Sequence, residues 1–239
     1  MFKPRIYRKW VESDDLVSFE VRESETDLLI LAEKKLEAQA RESILTNRGD
    51  IERYIKKHPG FYTALAPLNV ASHAPEILKV MAEAGRLARV GPMAAIAGAM
   101  AEFVGRDLLA FTNQVIVENG GDIFIKTSRP RTLGIYAGEN SPFTGKLAIE
   151  VGVTENGIGV CTSSGTVSHS LSFGLADAVV IISNNTALAD AAATAAGNAV
   201  KRPGDIEKGI IIAKSIEGVK GVLIIAGDKF GSWGDVKLV

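Results

Sequence analysis

Asp190 and Thr194 stand four residues apart in "TALADAAATAAGNAV", a segment built mostly of alanine. In a helix that spacing puts both side chains on one face. A carboxylate and a hydroxyl one turn apart can give a magnesium ion two oxygen ligands. Magnesium usually takes only one or two ligands from protein and leaves places for substrate phosphates. The flanking alanines would leave space for such a ligand. Packing accounts for the same residues in another way. Alanine has the best helix propensity and allows close approach to a neighbour. A carboxylate near a helix N-terminus is stabilised by the dipole, and a threonine can bond back to a carbonyl one turn earlier.

Two further segments carry polar groups in small loops. In "VIVENGGDIFI", Asn119, Gly120, Gly121 and Asp122 separate two alternating apolar runs. Asn-Gly in that setting is a hairpin signal, and paired glycines also let a ligand approach the backbone. In "GVCTSSGTVSHS", Thr162, Ser163, Ser164, Gly165 and Thr166 offer hydroxyls and N–H groups that can line an anion-binding concavity. The loop has no lysine and does not match a Walker pattern. His169 follows four residues after Gly165, which ranks it as a candidate acid or base above His58 and His73.

The elements that must position these groups follow from periodicity. Alternating runs at 4–32 predict strands. A helical pattern runs from Glu33 to His58, open to interruption at "NRGD" and stopped by Pro59-Gly60. Helices are predicted after Pro75 and across "GPMAAIAGAMAEFVGRDLLAF". "QVIVENGGDIFIKT", "RTLGIYAG", "GKLAIEVGV", "GIGVCTSSG" and "DAVVIIS" read as successive antiparallel strands. The alanine helix, "DIEKGIIIAKSIEG" and a closing strand pair complete the chain. The expected class is α+β, with Ala/Gly-rich helices packed on antiparallel sheet. A single domain over 1–239 is expected. The similar small-residue helices near 92–109 and 186–200 raise the possibility of two related halves.

Composition narrows the function. With 27 basic and 28 acidic residues the net charge is -1, which asks for neither nucleic acid nor an anionic membrane. The single Cys161 excludes an internal disulfide and a cysteine-based zinc site. No apolar run reaches bilayer length. The opening "MFKPRIYRKWVESDD" has no apolar h-region, so the expectation is a cytoplasmic protein with no membrane partner. Open sheet edges need covering, which suggests a homodimer.

The order "ENGGD", then "TSSG" with a histidine shortly after, then an apolar strand, then "ALADAAATA" resembles the ApbE-like superfamily. Its best-known members are FAD:protein FMN transferases. The likeness is best from about 91 to 200, with looser matches at "HPGFYTALAPL" and "GVLIIAGDKFGSWG". It implies magnesium at Asp190 and Thr194 together with the FAD pyrophosphate. It implies flavin-nucleotide contacts at Asn119, Gly120, Gly121, Asp122, Thr162, Ser163, Ser164 and Gly165. His169 or Glu102 would then serve as catalytic acid or base, and the partner would be a protein acceptor or water. The chain departs from the pattern in two places. Ala97-Gly98 stands where the family has Lys-Gly in G-x-x-A-K-G-x-A-x-D, with Glu102 at the final Asp, and the D-P-x-T-G segment after the histidine is missing. The alternative is a non-catalytic nucleotide-binding or structural protein on the same fold.

Overall fold

The structure is a computed structural model that describes residues 13–165 and 174–239. Eight strands form one antiparallel sheet: β1 (Val17–Glu23), β2 (Thr26–Ala32), β3 (Val115–Asn119), β4 (Asp122–Lys126), β7 (Ile158–Ser163), β8 (Ala178–Ser183), β9 (Val219–Ala226) and β10 (Lys229–Gly234), in that spatial order. Strands β5 (Arg131–Gly134) and β6 (Ala148–Val151) form a separate two-stranded sheet, and β6 is also bonded on its other edge by residues 237–239. Five helices cover the other side: α1 (Glu37–Lys57), α3 (Glu76–Ala88), α4 (Ile96–Leu108), α5 (Thr186–Asn198) and α6 (Ile206–Ser215), with a short turn of helix, α2 (Gly60–Thr63), between α1 and α3. The expected α+β class, with small-residue helices on antiparallel sheet, is what the chain adopts.

Most central strands are apolar on both faces because both faces are covered. Leu28 and Ile30 of β2, Val117 of β3, Phe124 of β4 and Val179 and Ile181 of β8 face the helices. Leu29, Leu31, Ile116, Ile125, Val180 and Ile182 face the β5–β6 hairpin, whose Leu133, Ile149 and Val151 close a second core. Period-2 alternation thus feeds two cores instead of one core and solvent. This explains why β5 and β6 leave the main sheet: they form its third layer, and β4 pairs directly with β7. The order is hairpin, helices, hairpin on each side of that excursion: β1–β2, α1 to α4, β3–β4, then β7–β8, α5 and α6, β9–β10.

Two predicted boundaries move. The first long helix begins at Glu37 rather than Glu33, because the Glu33 carboxylate accepts from the Thr112 hydroxyl and the Asn113 N–H. It runs unbroken through "NRGD". Asn47 is buried and donates to the Ser43 carbonyl, and Arg48 donates to the Thr26 hydroxyl and the Glu25 carboxylate. Tertiary bonds override the local turn tendency of Asn-Arg-Gly-Asp. No single described helix is long and apolar enough to cross a membrane.

The alanine helix α5 owes its start to Asn185, whose side-chain oxygen accepts from the Leu188 N–H at 2.7 Å. Asn185→Ala is expected to remove about 1 kcal/mol of stability. In a chain of this size that lowers Tm by about 2–4 °C per kcal/mol, readable by urea and thermal unfolding followed by circular dichroism.

Candidate functional site

The site forms where the N-terminal turns of α4 and α5 meet over the ends of β3, β4 and β7. Helix α4 opens on Ala95, which has no capping side chain. Its orphan N–H groups find their acceptor on α5 instead: Gly98 N–H donates to Asp190 Oδ2 at 2.9 Å. The arrangement is reciprocal. Glu102 of α4 accepts the Thr186 N–H of α5 at 2.6 Å. Each helix supplies a carboxylate to the other's positive end. Only glycine allows this approach at 98, where a Cβ would lie 2.4 Å from the Thr186 carbonyl oxygen and 2.8 Å from Asp190 Cβ.

Beneath this crossing lies a row of polar side chains on the helix-facing side of the sheet. Asn119 pairs with Asp122, and Asp122 with Cys161. Asn119 Nδ2 donates to the Ala97 carbonyl at 3.1 Å, and Cys161 Sγ donates to the Thr186 carbonyl at 3.3 Å. Gly159, two residues before Cys161, packs so tightly on Thr186 that a Cβ would sit 2.5 Å from its Cα. The turn between β3 and β4 needs its glycines. Gly120 and Gly121 have φ of 69° and 108°, and Gly121 N–H donates to Glu118 Oε1 at 2.8 Å.

Asp122 is 7% exposed, and its Oδ1 is buried with no hydrogen-bond partner. Burial pushes its carboxyl well above the usual range, and the charge of Asp190 pushes it further. Asp190 is raised to about 7, chiefly by burial, against the pull of the Gly98 and Ala97 N–H groups. Burial also pushes the Cys161 thiol up, with Asp122 adding to it. Two carboxyls therefore share a desolvated space. Among the described residues no group of three or more His, Cys, Asp or Glu side chains is placed to hold a metal ion. The donor set that is present, Asp190 with the Thr194 hydroxyl one turn on and a partnerless carboxylate oxygen at Asp122, is all oxygen. It suits a hard divalent cation that completes its shell from phosphate and water.

The sequence-based candidates divide accordingly. Asn119, Gly120, Gly121, Asp122 and Asp190 come together, and Ser163 lies on the same face of β7 as Cys161. Thr162 lies on the opposite face by strand alternation, although its N–H donates to the Gly121 carbonyl at 3.2 Å. Gly165 is fixed by close approach: a Cβ there would lie 2.0 Å from the Gly174 carbonyl oxygen, and one on Gly174 2.0 Å from that of Gly197 on α5. Ser164 is buried beside it. His169 and Thr166 lie outside the described residues. Glu102, expected as a possible base, has both oxygens engaged. Oε2 holds the Thr186 N–H, and Oε1 takes the Arg106 guanidinium. Its geometry is that of a helix cap. The sequence reading missed Cys161 as the neighbour of Asp122 and the N–H groups of Ala97 and Gly98 as partners of Asp190. Strand pairing across β4 and β7 was the signal for the first. The small residues at 97–99 were the signal for the second.

A raised carboxyl makes stability fall as pH rises. Between its unfolded value of 3.8 and its folded value of about 7, Asp190 holds its proton in the native state and releases it on unfolding. Without added cations, Tm is expected to fall as pH rises from 4 to 7 through this window. Asp190→Asn, which keeps an acceptor for Gly98, should flatten that slope in thermal unfolding across buffers.

Residues 8–215 match the family described as AbpE bacteria. A UPF0280 protein of Methanococcus aeolicus is 43% identical over 202 residues, covering 82% of this chain and 81% of that protein. A UPF0280 protein of Methanocaldococcus jannaschii is 42% identical over 218 residues, covering 89% and 88%. The fold is similar to that of the apo flavinyl transferase ApbE of Pseudomonas stutzeri, with a TM-score of 0.61 and 13% identity over 92% of this chain and 94% of that one. It is similar also to the ApbE protein of Thermotoga maritima, with a TM-score of 0.60 and 14% identity over 90% and 96%. The chain therefore belongs to the AbpE bacteria family, alongside the UPF0280 proteins, and has the ApbE-like fold.

Proposed function

We propose that the protein binds a flavin nucleotide, FAD, at the crossing of α4 and α5, and that it acts there as a magnesium-dependent FMN transferase or FAD hydrolase. The observation that carries this reading is one of placement. The β3–β4 glycine turn and the buried Asp122 lie under the turn of α5 that carries Asp190, with Thr194 one turn further along that helix, on a fold similar to that of flavinyl transferases. Asp190 and Thr194 would hold the magnesium ion against the pyrophosphate. When bound, that ion supplies Lewis-acid polarisation of the phosphoryl group.

The chain's own residues do the rest. Gly120 and Gly121 carry no side chain to block the backbone beside Asp122, and at Gly121 even an added Cβ would meet nothing closer than 3.6 Å. In the reaction, an acceptor oxygen bonds to the FMN phosphorus as the P–O bond to AMP breaks. The hydroxyl proton passes to a base, and His169 is the proposed one. A protein hydroxyl as acceptor gives an FMN ester, and water gives free FMN. The protein is read as cytoplasmic and as a homodimer that covers an open sheet edge, β1 or β10.

A second reading has its own observation. Asp190 already works as the cap of α4 through Gly98, and that alone justifies a carboxylate there. On that reading the fold binds a nucleotide without chemistry, or serves structure only.

Incubation of the purified protein with FAD and magnesium, followed by chromatography, separates the two. AMP is expected from the native chain. Asp190→Asn should lower its release by about a hundredfold or more, the scale of a lost electrostatic group at a reacting phosphoryl. Intact FAD that raises Tm would leave a binding protein. Intact FAD with no shift in Tm would sink the flavin reading.

A further inference from the structure

The chain's buried carboxylates are satisfied in different ways. Glu102 has both oxygens occupied, and Glu118 accepts the N–H of Gly121. Asp205 takes Lys208 and the Lys201 N–H. Asp122 is the exception in this group, with Oδ1 sealed from solvent and without a hydrogen-bond partner. Ionised without a partner, that oxygen would cost several kcal/mol.

The position of Asp122 shows what surrounds it. It begins β4, with its side chain on the helix-facing side of the sheet, directly opposite Cys161. Cys161 is bonded to Thr186, and Asp190 lies one helical turn beyond Thr186 on α5. Asp122 is thus held under the turn of α5 that carries Asp190, and its strand partner Asn119 bonds Ala97, the neighbour of the Gly98 that Asp190 accepts from. No described lysine or arginine is bonded to either carboxylate, whereas the surface carboxylates Asp15, Glu83 and Glu150 all have cationic partners. Two acidic side chains from different elements, brought together without a cation from the protein, form a seat for one from outside.

We infer that Asp122 is a ligand of the divalent cation, the second carboxylate of a seat made with Asp190 and Thr194. This rests on the cation reading above and extends it. The seat then spans the hairpin end and the helix. Two carboxylates and a hydroxyl leave about half of an octahedral shell for phosphate oxygens and water. The inference also gives the turn a purpose: Gly120 and Gly121, in left-handed conformations, bring Asp122 in at the first residue of β4. A cation bound here joins α5 to the sheet, so its binding stiffens the contact between them.

The test uses the full chain and Mn2+ as probe, with free Mn2+ read by electron paramagnetic resonance, alone and again with FAD. The native chain is expected to bind Mn2+ and to gain Tm with it. Asp122→Asn keeps the shape and removes the charge, so it is expected to fold at least as stably as the native chain in the absence of metal. It should bind Mn2+ more weakly by about tenfold or more, since even outer partners of a metal ligand cost that much. It should also lose most of the Mn2+-induced rise in Tm. Asp122→Asn that binds Mn2+ as the native chain does, while Asp190→Asn does not, would overturn this inference and leave the cation at Asp190. A native chain that takes up no Mn2+, with or without FAD, would overturn both.

Discussion

The crossing of α4 and α5 depends on an exchange of carboxylates. Asp190 answers the bare N–H groups of α4, and Glu102 answers the first N–H of α5. Neither helix has an ordinary first turn without the other: α4 lacks a capping side chain, and the N-cap of α5 reaches Leu188 but not Thr186. The exchange demands very close approach. That is why the positions at the crossing are Gly98, Ala97 and a run of alanines, and why the sheet below them has Gly159. Larger side chains would separate the helices and uncover two sets of N–H groups at once.

The same closeness makes the local electrostatics unusual. Asp190 reaches Gly98 only by leaving water, and the desolvation that follows outweighs the hydrogen bonds it gains. Asp122, brought in by the glycine turn, enters the same space with one oxygen unanswered. Elsewhere the fold resolves its charges in the ordinary way. Asp15 is held well below the usual carboxylate range by Arg131 and Arg129. The contrast is local, confined to one helix crossing and one turn, and strongly perturbed groups gathered in this way mark functional sites more often than chance.

Most of the element order was legible in the sequence, because it rests on periodicity and punctuation. The Asn-Gly-Gly turn, the Pro75 helix start and the alanine helix all carry their own local signal. What was illegible depends on partners distant in the chain. Glu33 is held out of its helix by Thr112 and Asn113, some eighty residues away. The β5–β6 hairpin has strand periodicity like the rest, and only the need to cover a second apolar face removes it from the main sheet. Glu102 reads as a candidate acid or base in the sequence, and its bond to the first N–H of α5 shows only when α5 lies against it. In the sequence Asp122 reads as part of a loop. Its weight comes from the strand pairing that sets it beside Cys161 and under α5.

Capping and cation binding at Asp190 are compatible roles. A carboxylate has two oxygens and about four lone-pair directions, and the bond to Gly98 engages Oδ2 only. The cap fixes the rotamer, and a fixed rotamer is what a ligand to a small cation requires, since geometry must be set before the ion arrives. The positive end of α4 opposes a cation at close range, which is a reason for a second carboxylate rather than one. As the proposed second ligand, Asp122 would supply that charge from the sheet side, away from the helix end. Such a seat would be balanced between a helix terminus and a strand terminus, and its geometry would be held by Gly98, Gly120 and Gly121, residues that have no side chains of their own.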